Sequence, residues 1–358
     1  MASAAPSNPA IPRLSVVMPV HNALPFLDEA IESILGQTYR DFEFVIRDDG
    51  STDGSSQALR EWAKRDARIR LFEGPQLGPS GSSNWVVREA RAALVARMDA
   101  DDVAHPERLE RQLQVMETAP EIVLLGTIFH LIDRNGRMVR PYDYSRITRN
   151  GFAVPFAHAS ALFRRDVFET VGGYREECAY WEDLDLFLRV AEAGRVGILA
   201  EPLLSYRHAQ TSTRLVSRPE RVEQALHRRY ECMVAHRRTR DYSGVLESMR
   251  SQKPAQKLHP RTFVAAGSLE LWAGGKPPSP AHVLKRADLG FNADAAKVLG
   301  WTAWGSISPR SLRWSLNQLV RLRNLSAKKT VKPGAVYEWN SRGDGARMIL
   351  PPAGSVAA

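Results

Sequence analysis

The chain has 358 residues, 44% of them hydrophobic and 25% charged, which is an ordinary composition for a globular protein. Its length allows one large domain and a smaller one. No run of residues approaches the roughly 18 consecutive apolar positions of a membrane span, and two cysteines cannot form a disulfide framework. The net charge of +9 favours an anionic partner, for which nucleic acid, anionic lipid and a phosphorylated small molecule all qualify.

Strands and helices alternate along the first hundred residues. The β-branched run at 14–20 predicts a strand, and apolar residues at helical spacing after it predict a helix that ends at Gly36. The alternation continues with FEFVIRD, RIRLFEG and VARM as strands, and with helices around Leu59 and over PSGSSNWVVREARAAL. Such regular alternation predicts an α/β fold with a mainly parallel sheet and helices on both faces.

The pattern changes beyond Pro106. A helix is predicted to about Glu117, and a later Gly-rich turn leads through a loop to a helix that ends at Gly194. Apolar stretches predict further strands, some of them antiparallel, at 122–125, 127–132 and 159–163.

Four parts of the chain follow from these patterns. We predict a flexible N-terminus at 1–12, an α/β domain at 13–217, a basic helical region at 218–330 and a loose tail at 331–358. The tail is assigned from its high content of Gly, Pro and Ala.

An acidic cluster follows the predicted strand VARM. Asp99 and Asp101 at a strand end form the arrangement that a hard divalent cation prefers, in which water and substrate phosphates complete the ligand set. Like charges this close repel, so a bound cation would offset their repulsion. The alternative is a solvated acidic turn in which Asp102 caps the next helix.

Two further acidic sites accompany this cluster. Asp49 follows the second strand, where its carboxylate is a candidate acceptor for a base N–H or a ribose hydroxyl, or else a turn residue. The segment WEDLD supplies Glu182, Asp183 and Asp185 at the start of a helix, where negative charge is favourable in any case. For Asp185 that structural role suffices. Parallel sheets bind ligands beyond the carboxyl ends of their strands, and the first two acidic sites lie there.

Five segments resemble, in the same order, blocks of family 2 of the inverting nucleotide-sugar glycosyltransferases. They are VVMPVHNALPFLDEAIESILGQTY, DFEFVIRDDGSTDGS, ARMDADD, HASALFRRDVFETVGGY and WEDLDLFLR. The likeness covers roughly residues 13–215. It implies the GT-A fold, a Rossmann-like catalytic domain over 13–217, with the basic helical region as a C-terminal addition.

The resemblance implies roles on the donor side. Asp49 would contact the nucleobase, and Asp99 would lie near the ribose and sugar of the donor. Asp101 would bind the Mn²⁺ or Mg²⁺ that bridges the diphosphate, with Asp99 and His208 as further candidate ligands. The remaining candidates for the nucleotide-sugar site are Pro19, Val20, Asn22 and Ala100.

On the acceptor side, the resemblance implies that Asp183 is the general base and that Glu182 helps to shape the site. One segment departs from the family pattern. Many relatives carry Ala-Arg-Asn before the fourth strand, whereas this chain has Ser83 before Asn84 and no arginine. Arg97 is then the nearest basic substitute near the donor.

The resemblance implies a metal-dependent inverting enzyme that moves a sugar from a nucleoside-diphosphate sugar, with a UDP-sugar favoured, to a hydroxyl of a saccharide or lipid-linked acceptor. The expected setting is bacterial cell-surface polysaccharide or glycolipid synthesis. One alternative is a non-catalytic relative that scaffolds such an assembly. A nucleotidyltransferase is disfavoured because the loop HNALPFLDE lacks Gly and basic residues, and a nucleic-acid-binding protein because no zinc spacing or RNA-binding aromatic motif is found.

The predicted location is the cytoplasm, since the first residues lack the features of a secretory signal. The pattern at 310–329 predicts a helix that combines a leucine stripe with many basic residues. This helix either lies on the anionic inner face of the cell membrane, close to a lipid-linked acceptor, or packs on the catalytic domain through its leucines.

Overall fold

The structure is a computed structural model of the chain. It describes residues 11–142, 147, 156–178, 181–207, 232, 235–236, 239, 241–250, 331–339 and 347–352. Several predictions made above lie outside the described residues. They concern His208, the helix at 310–329 and most of the segments 1–12 and 218–330.

Seven helices and eleven strands form the described part of the chain. The helices are α1 (Leu27–Leu35), α2 (Ser55–Arg65), α3 (Gly78–Glu89), α4 (Arg108–Thr118), α5 (Arg165–Thr170), α6 (Glu182–Ala193) and α7 (Ser243–Arg250). The strands are β1 (Leu14–Val20), β2 (Phe42–Asp48), β3 (Ile69–Glu73), β4 (Leu94–Arg97), β5 (Val103–Ala104), β6 (Ile122–Ile132), β7 (Met138–Arg140), β8 (Leu162–Arg164), β9 (Arg195–Arg207), β10 (Val336–Glu338) and β11 (Arg347–Leu350). Among these helices, none is both long enough and apolar enough to span a bilayer.

The strands join in one mixed sheet. Within the described residues its order is β11-β10-β9-β6-β8-β4-β1-β2-β3, with β5 paired to β9 and β7 to β6. β1 runs parallel to β2 and β4, β2 parallel to β3, and β6 parallel to β9. β8 is antiparallel to both β4 and β6, so some of the later strands are antiparallel, as predicted.

Helices cover both faces of this sheet. One apolar core contains Val86 of α3 and Phe187 of α6, and the other contains Ile31 of α1, Leu59 of α2 and Leu109 of α4. Side chains of β1 alternate between the two cores, because successive residues of a strand point to opposite faces. The apolar strands predicted from the sequence are therefore buried on both sides, which is typical of a parallel sheet.

The prediction of a loose tail at 331–358 is wrong for the described residues 331–339 and 347–352. Strand β10 pairs antiparallel with β9, with Val336 opposite Leu199, and β11 pairs with β10. Val331, Ala335 and Val336 are buried. Over Gly197–Leu199, strand β9 would otherwise leave backbone groups unpaired at a sheet edge, and the three-residue strand β10 pairs with them. So short a strand among Gly and Pro residues gives no alternating pattern that sequence analysis can detect.

Glu43 is a buried carboxylate that connects three strands on one side of the sheet. Its Oε1 accepts hydrogen bonds from Ser15 Oγ at 2.6 Å and from the backbone N–H of Arg91 at 2.7 Å. Its Oε2 accepts from Arg70 Nη1 and Arg91 Nε, both at 2.7 Å. Burial alone would raise the pKa of Glu43, but these hydrogen bonds outweigh it and the pKa lies below its ordinary value of 4.5.

Replacing Glu43 by Gln should lower the free energy of unfolding by about 3 kcal/mol at pH 7, because it leaves two arginines around a buried neutral group. The pKa of Glu43 is lower in the folded than in the unfolded chain. Its stabilising contribution is therefore fully present above pH 4.5 and is lost as the pH falls through the folded-state value. Urea denaturation of the wild type and Glu43→Gln across this range should show the stability difference shrinking in acid.

The control is Glu73→Gln, which removes the exposed ion pair between Glu73 and Arg60 at 2.8 Å. Exposed pairs contribute about 1 kcal/mol or less, so this variant should stay close to the wild type. Equal losses in the two variants, or a Glu43 effect that does not change with pH, would contradict the assignment.

Candidate active site

The carboxyl ends of β1, β2 and β4 meet at one edge of the sheet. The parallel register places Val20 beside Asp48 and Val17 beside Arg97. The loops that follow these three strands therefore carry Asn22, Asp49 and the acidic residues 99–102 to a common edge. We call residues 99–102 the acidic loop.

Asp49 follows directly after β2 and is buried at the carboxyl end of the sheet. One carboxylate oxygen accepts the N–H of Leu77 at 2.8 Å and the other accepts the N–H of Gly78 at 2.9 Å, at the start of α3. Arg47 Nε lies 3.6 Å from Asp49 Oδ1, and the side chain of Asp49 is 5% exposed. Asp49 thus joins the end of β2 to the start of α3. The sequence offered a turn residue as the structural alternative for Asp49, but gave no sign of this contact with α3.

Polar side chains surround Asp49 at the surface. His21 Nδ1 lies 3.0 Å from the carbonyl oxygen of Asp49. A carbonyl can only accept, so Nδ1 carries the hydrogen and His21 Nε2 accepts from Asn22 Nδ2 at 3.3 Å and Gln76 Nε2 at 3.2 Å. Asn22 has a φ of 51° and its Oδ1 accepts the N–H of Thr52 at 2.8 Å.

The strand residues predicted to line this pocket take different positions. Pro19 is half-buried at the end of β1. The side chain of Val20 is buried in the core below α1, and its carbonyl oxygen accepts the N–H of Asp49 at 2.8 Å. Val20 therefore contributes its backbone to the site, and Pro19 is the one whose side chain reaches the surface.

The acidic loop is bordered by Arg97, the last residue of β4. Arg97 Nη2 lies 2.7 Å from Asp99 Oδ1. Burial lowers the pKa of Arg97, but the charges of Asp99, Glu182 and Asp183 raise it, and the net shift is upward. Among the described residues, Arg97 Nε and Nη1 are buried without a hydrogen-bond partner. Arg97 is thus paired with Asp99 of the acidic loop and lies near enough to the start of α6 to be influenced by its carboxylates, while two of its N–H groups find no acceptor in the part of the chain that the structure describes.

Two more arginines lie below the acidic loop. Arg108, the first residue of α4, is fully buried, and its Nη2 donates to the carbonyl oxygen of Arg97 at 2.5 Å. Burial lowers the pKa of Arg108 to about 10. Arg207 at the end of β9 donates its backbone N–H to Asp102 Oδ1 at 2.8 Å and its Nε–H to the carbonyl oxygen of Asp101 at 2.7 Å. Sequence analysis missed both arginines, although an acidic cluster that is partly buried requires nearby positive charge.

These arginines do not fully compensate the negative charge of the acidic loop. Burial and the charge of Asp99 raise the pKa of Asp101 to about 6. Burial and the charges of Asp101 and Asp99 also raise the pKa of Asp102. Asp102 Oδ2 is buried, and no hydrogen-bond partner is found for it in the described part of the chain. The loop therefore carries carboxylate oxygens whose ionised form a divalent cation would stabilise.

The acidic loop offers few potential metal ligands. Within the described residues no group of three or more His, Cys, Asp and Glu side chains is arranged to hold a metal ion. The acidic loop offers the half-exposed Asp101, with Asp99 partly exposed beside it and Ala100 between them. A small number of carboxylate oxygens fits Mg²⁺ or Mn²⁺, which keep waters and take further ligands from substrate phosphates.

The acceptor-side candidates occupy the start of α6. Glu182 and Asp183 are both half-exposed there. Asp183 Oδ1 accepts the N–H of Leu184 at 2.7 Å, and this bond fixes the direction of the carboxylate. Both carboxylates are near enough to Arg97 to raise its pKa. The structure thus brings the candidate general base and the acidic loop within electrostatic range of one guanidinium.

The segment that departs from the family pattern has a packing role. Asn84 on α3 donates Nδ2–H to the carbonyl oxygen of Tyr174 at 2.8 Å and accepts the N–H of Tyr174 at 2.8 Å. Gly173 has a φ of 65°, and a Cβ there would lie 2.6 Å from Asn84 Oδ1, so glycine is required for this close approach. Ser83 is buried. Neither Ser83 nor Asn84 supplies the positive charge that the family arginine would.

Comparisons with known proteins identify the family. The family model described as Glycosyl transferase family 2 matches residues 15–172, and that described as Glycosyl transferase family group 2 matches residues 94–318. The chain is 34% identical over 212 residues to the O-antigen biosynthesis glycosyltransferase WbnJ of Escherichia coli, covering 56% of this chain and 81% of that protein. It is 33% identical over 205 residues to the putative glycosyltransferase EpsE of Bacillus subtilis, covering 55% and 73%. The chain belongs to glycosyltransferase family 2.

Solved structures agree in fold with this family 2 glycosyltransferase. The mannosyltransferase PcManGT from Pyrobaculum calidifontis, in complex with GDP-Man and Mn²⁺, has a TM-score of 0.51 at 20% identity, over 89% of this chain and 87% of that one. S. aureus TarS 1–349 in complex with UDP-GlcNAc has a TM-score of 0.52 at 14% identity, over 95% and 99%. At these identities the likeness shows the fold alone, and it confirms the predicted GT-A architecture.

In this glycosyltransferase, Asp185 lies one half-turn from Asp183 but has different surroundings. Its carboxylate is fully buried and pairs with Arg189, with Arg175 Nη1 at 3.4 Å and with the hydroxyl of Tyr242 at 2.8 Å. Arg189 also donates to the carbonyl oxygen of Gly173 at 2.7 Å. Asp185 therefore links α6 to the turn before it, which is a structural role.

Replacing Asp185 by Asn should lower the free energy of unfolding by about 3 kcal/mol, because it leaves two arginines beside a neutral group in a buried site. The matched control is Asp183→Asn on the same helix. Asp183 is only partly buried, whereas Asp185 is fully buried, so the free energy of unfolding of Asp183→Asn should change by less than about 1 kcal/mol. Chemical denaturation of both variants measures the difference, and a stable Asp185→Asn protein would show that the buried network is dispensable.

Proposed function

We propose that this chain is a metal-dependent, inverting glycosyltransferase that moves a sugar from a nucleoside-diphosphate sugar to an acceptor hydroxyl, in the synthesis of a polysaccharide. The observation that supports the proposal is the ion pair of Arg97 with Asp99 at 2.7 Å, together with Glu182 and Asp183 lying near enough for their charges to raise the pKa of Arg97. A donor diphosphate bound at the acidic loop and an acceptor bound at α6 would meet at this point.

The comparisons support the individual parts of this proposal. PcManGT was solved with GDP-Man and Mn²⁺, and TarS with UDP-GlcNAc. WbnJ is named for O-antigen biosynthesis. We take a UDP-sugar as the first donor to test and a GDP-sugar as its alternative. Family membership disfavours the nucleotidyltransferase and nucleic-acid-binding alternatives, and membrane contact through the helix at 310–329 stays a prediction.

On the donor side, Asp101 would hold Mn²⁺ or Mg²⁺ with Asp99 beside it. When bound, the cation supplies positive charge to the diphosphate as it leaves. Arg97 keeps Asp99 in place through its 2.7 Å ion pair and adds a fixed, buried positive charge beside it. Asp49 accepts hydrogen bonds from the start of α3 and so joins the loop after β2 to the loop before α3. The nucleobase would bind between these two loops.

On the acceptor side, Asp183 would remove the proton of the acceptor hydroxyl as its oxygen attacks the anomeric carbon. The bond between that carbon and the diphosphate oxygen breaks on the opposite side, so the configuration inverts and no covalent enzyme intermediate is needed. The hydrogen bond from the N–H of Leu184 orients the Asp183 carboxylate for this step. General-base catalysis of this kind contributes roughly 10²- to 10⁴-fold in rate.

Calorimetry on the wild type with UDP, GDP, dTDP and CDP, each with and without Mn²⁺, tests the donor side. We expect one nucleotide to bind with Mn²⁺, and Asp101→Asn to weaken that binding at least about tenfold, or 1.4 kcal/mol. Binding without Mn²⁺ should be equal in both proteins. Asp166→Asn, an exposed change on α5, is the control and should match the wild type. Folded protein that binds none of the four would favour the non-catalytic relative.

Hydrolysis of the donor by water tests the acceptor side without a known acceptor. Asp183→Asn should reduce release of the nucleoside diphosphate by roughly 10²-fold or more, because the attacking water loses its base. The donor affinity should stay within twofold of the wild type. Glu182→Gln should have a smaller effect on the rate. Unchanged turnover in Asp183→Asn would overturn its assignment as the base.

A further inference from the structure

Arg207 is a buried arginine that makes hydrogen bonds to several parts of the protein around the acidic loop. It ends β9, and its side chain is 1% exposed. Its Nε–H reaches the carbonyl oxygen of Asp101 at 2.7 Å, and its backbone N–H reaches Asp102 Oδ1 at 2.8 Å. Two consecutive residues of the acidic loop are therefore bonded to this one arginine.

The other end of the guanidinium joins two more elements. Arg207 Nη1 lies 3.2 Å from the carbonyl oxygens of Asp133 and Arg134, in the turn between β6 and β7. Arg207 Nη2 lies 2.5 Å from Glu29 Oε2 on α1, and the guanidinium carbon lies 4.7 Å from the ring centre of Phe26. One buried side chain thus connects the acidic loop, a hairpin turn and α1.

The chemistry of these contacts explains why an arginine occupies the position. Its planar group presents N–H donors on separate nitrogens in a fixed arrangement, whereas the three donors of a lysine share one nitrogen, which cannot occupy the places of both Nε and Nη1. Backbone carbonyls satisfy the guanidinium without adding negative charge. Among the described residues, the carboxylate paired with the guanidinium is that of Glu29, whose side chain is 52% exposed, so its field is screened by water. The positive charge of Arg207 is therefore directed largely to Asp101 and Asp102.

We propose that Arg207 is a positioning residue for the acidic loop: by fixing the backbone at Asp101 and Asp102, it sets where the Asp101 carboxylate can bind a divalent cation. This inference rests on the proposed metal-dependent function. Arg207 itself does not touch the reacting atoms. Its effect should therefore appear in the binding that depends on the metal.

The test compares Arg207→Lys with Arg111→Lys. The first keeps the positive charge and the backbone bond to Asp102, but loses the fixed set of donors. The second alters an arginine of α4 that pairs with Glu201 of β9 at 2.6 and 3.1 Å, with no contact to the acidic loop among the hydrogen bonds described. Hydrogen exchange of backbone amides in the segments 99–104 and 131–137 is measured in both, together with calorimetric binding of UDP with and without Mn²⁺.

We expect Arg207→Lys to raise exchange at least about fivefold in both segments, since local opening frees the amides there. Binding of UDP with Mn²⁺ should fall at least tenfold, and binding without Mn²⁺ should stay within twofold. Arg111→Lys should match the wild type in all three measurements. If UDP binds the wild type too weakly, GDP is used in the same way.

Wild-type exchange in Arg207→Lys overturns the proposal, and so does an equal loss of nucleotide binding with and without Mn²⁺, which would indicate general loosening. If Arg207→Lys does not fold, Arg207→Met takes its place, because methionine keeps the backbone bond to Asp102 and the packing on Phe26 but lacks the guanidinium: raised exchange at 99–104 supports the proposal, and unchanged exchange overturns it. A wild type without any Mn²⁺ dependence would refute the proposed function instead, while the exchange comparison still decides the role of Arg207.

Discussion

The compensation of buried negative charge at the end of β4 is the constraint on which the rest of the site depends. Three carboxylates lie within four residues, and three buried arginines surround them from different parts of the chain. The carboxylates are Asp99, Asp101 and Asp102, and the arginines are Arg97, Arg108 and Arg207. The compensation is incomplete, since the pKa values of Asp101 and Asp102 stay raised. Because its negative charge is incompletely compensated, the acidic loop would be stabilised by a bound cation, whereas a fully neutralised loop would gain little from one.

The sheet topology makes this arrangement possible. The acidic loop follows β4 near the centre of the sheet, whereas Arg207 ends β9, which lies three positions away and pairs with β5 just after the loop. The short pairing of β5 with β9, with Val103 opposite Ser205, brings the two segments together. Strands β10 and β11 then cover the outer edge of β9. The C-terminal strands therefore support the strand that positions the acidic loop.

Sequence patterns predicted the parts of this protein that depend on local periodicity. The alternation of strands and helices gave the parallel half of the sheet, and the strand ends located Asn22, Asp49 and the acidic loop. The rest depends on contacts between distant residues. Arg207 lies 105 positions from its partner Asp102, and no local pattern marks such a pair. Strand β10 has three residues, too few for an alternating pattern, and is stable because β9 offers an unpaired edge.

Burial, and not residue type, separates the structural carboxylates from the candidate catalytic ones. Glu43 and Asp185 are each buried and hold two arginines, so their charge is fully used in joining elements of the fold. Asp183 lies two residues from Asp185 on the same helix, yet it is only partly buried, and the proposed mechanism places the acceptor hydroxyl there. The helix period places the two residues about 200° apart around the axis, so one helix start supplies a structural anchor and a candidate base at the same time. In the proposed mechanism, the buried pairing of Asp185 holds the start of α6 in place, so that the Asp183 carboxylate keeps the constant position that an in-line attack requires.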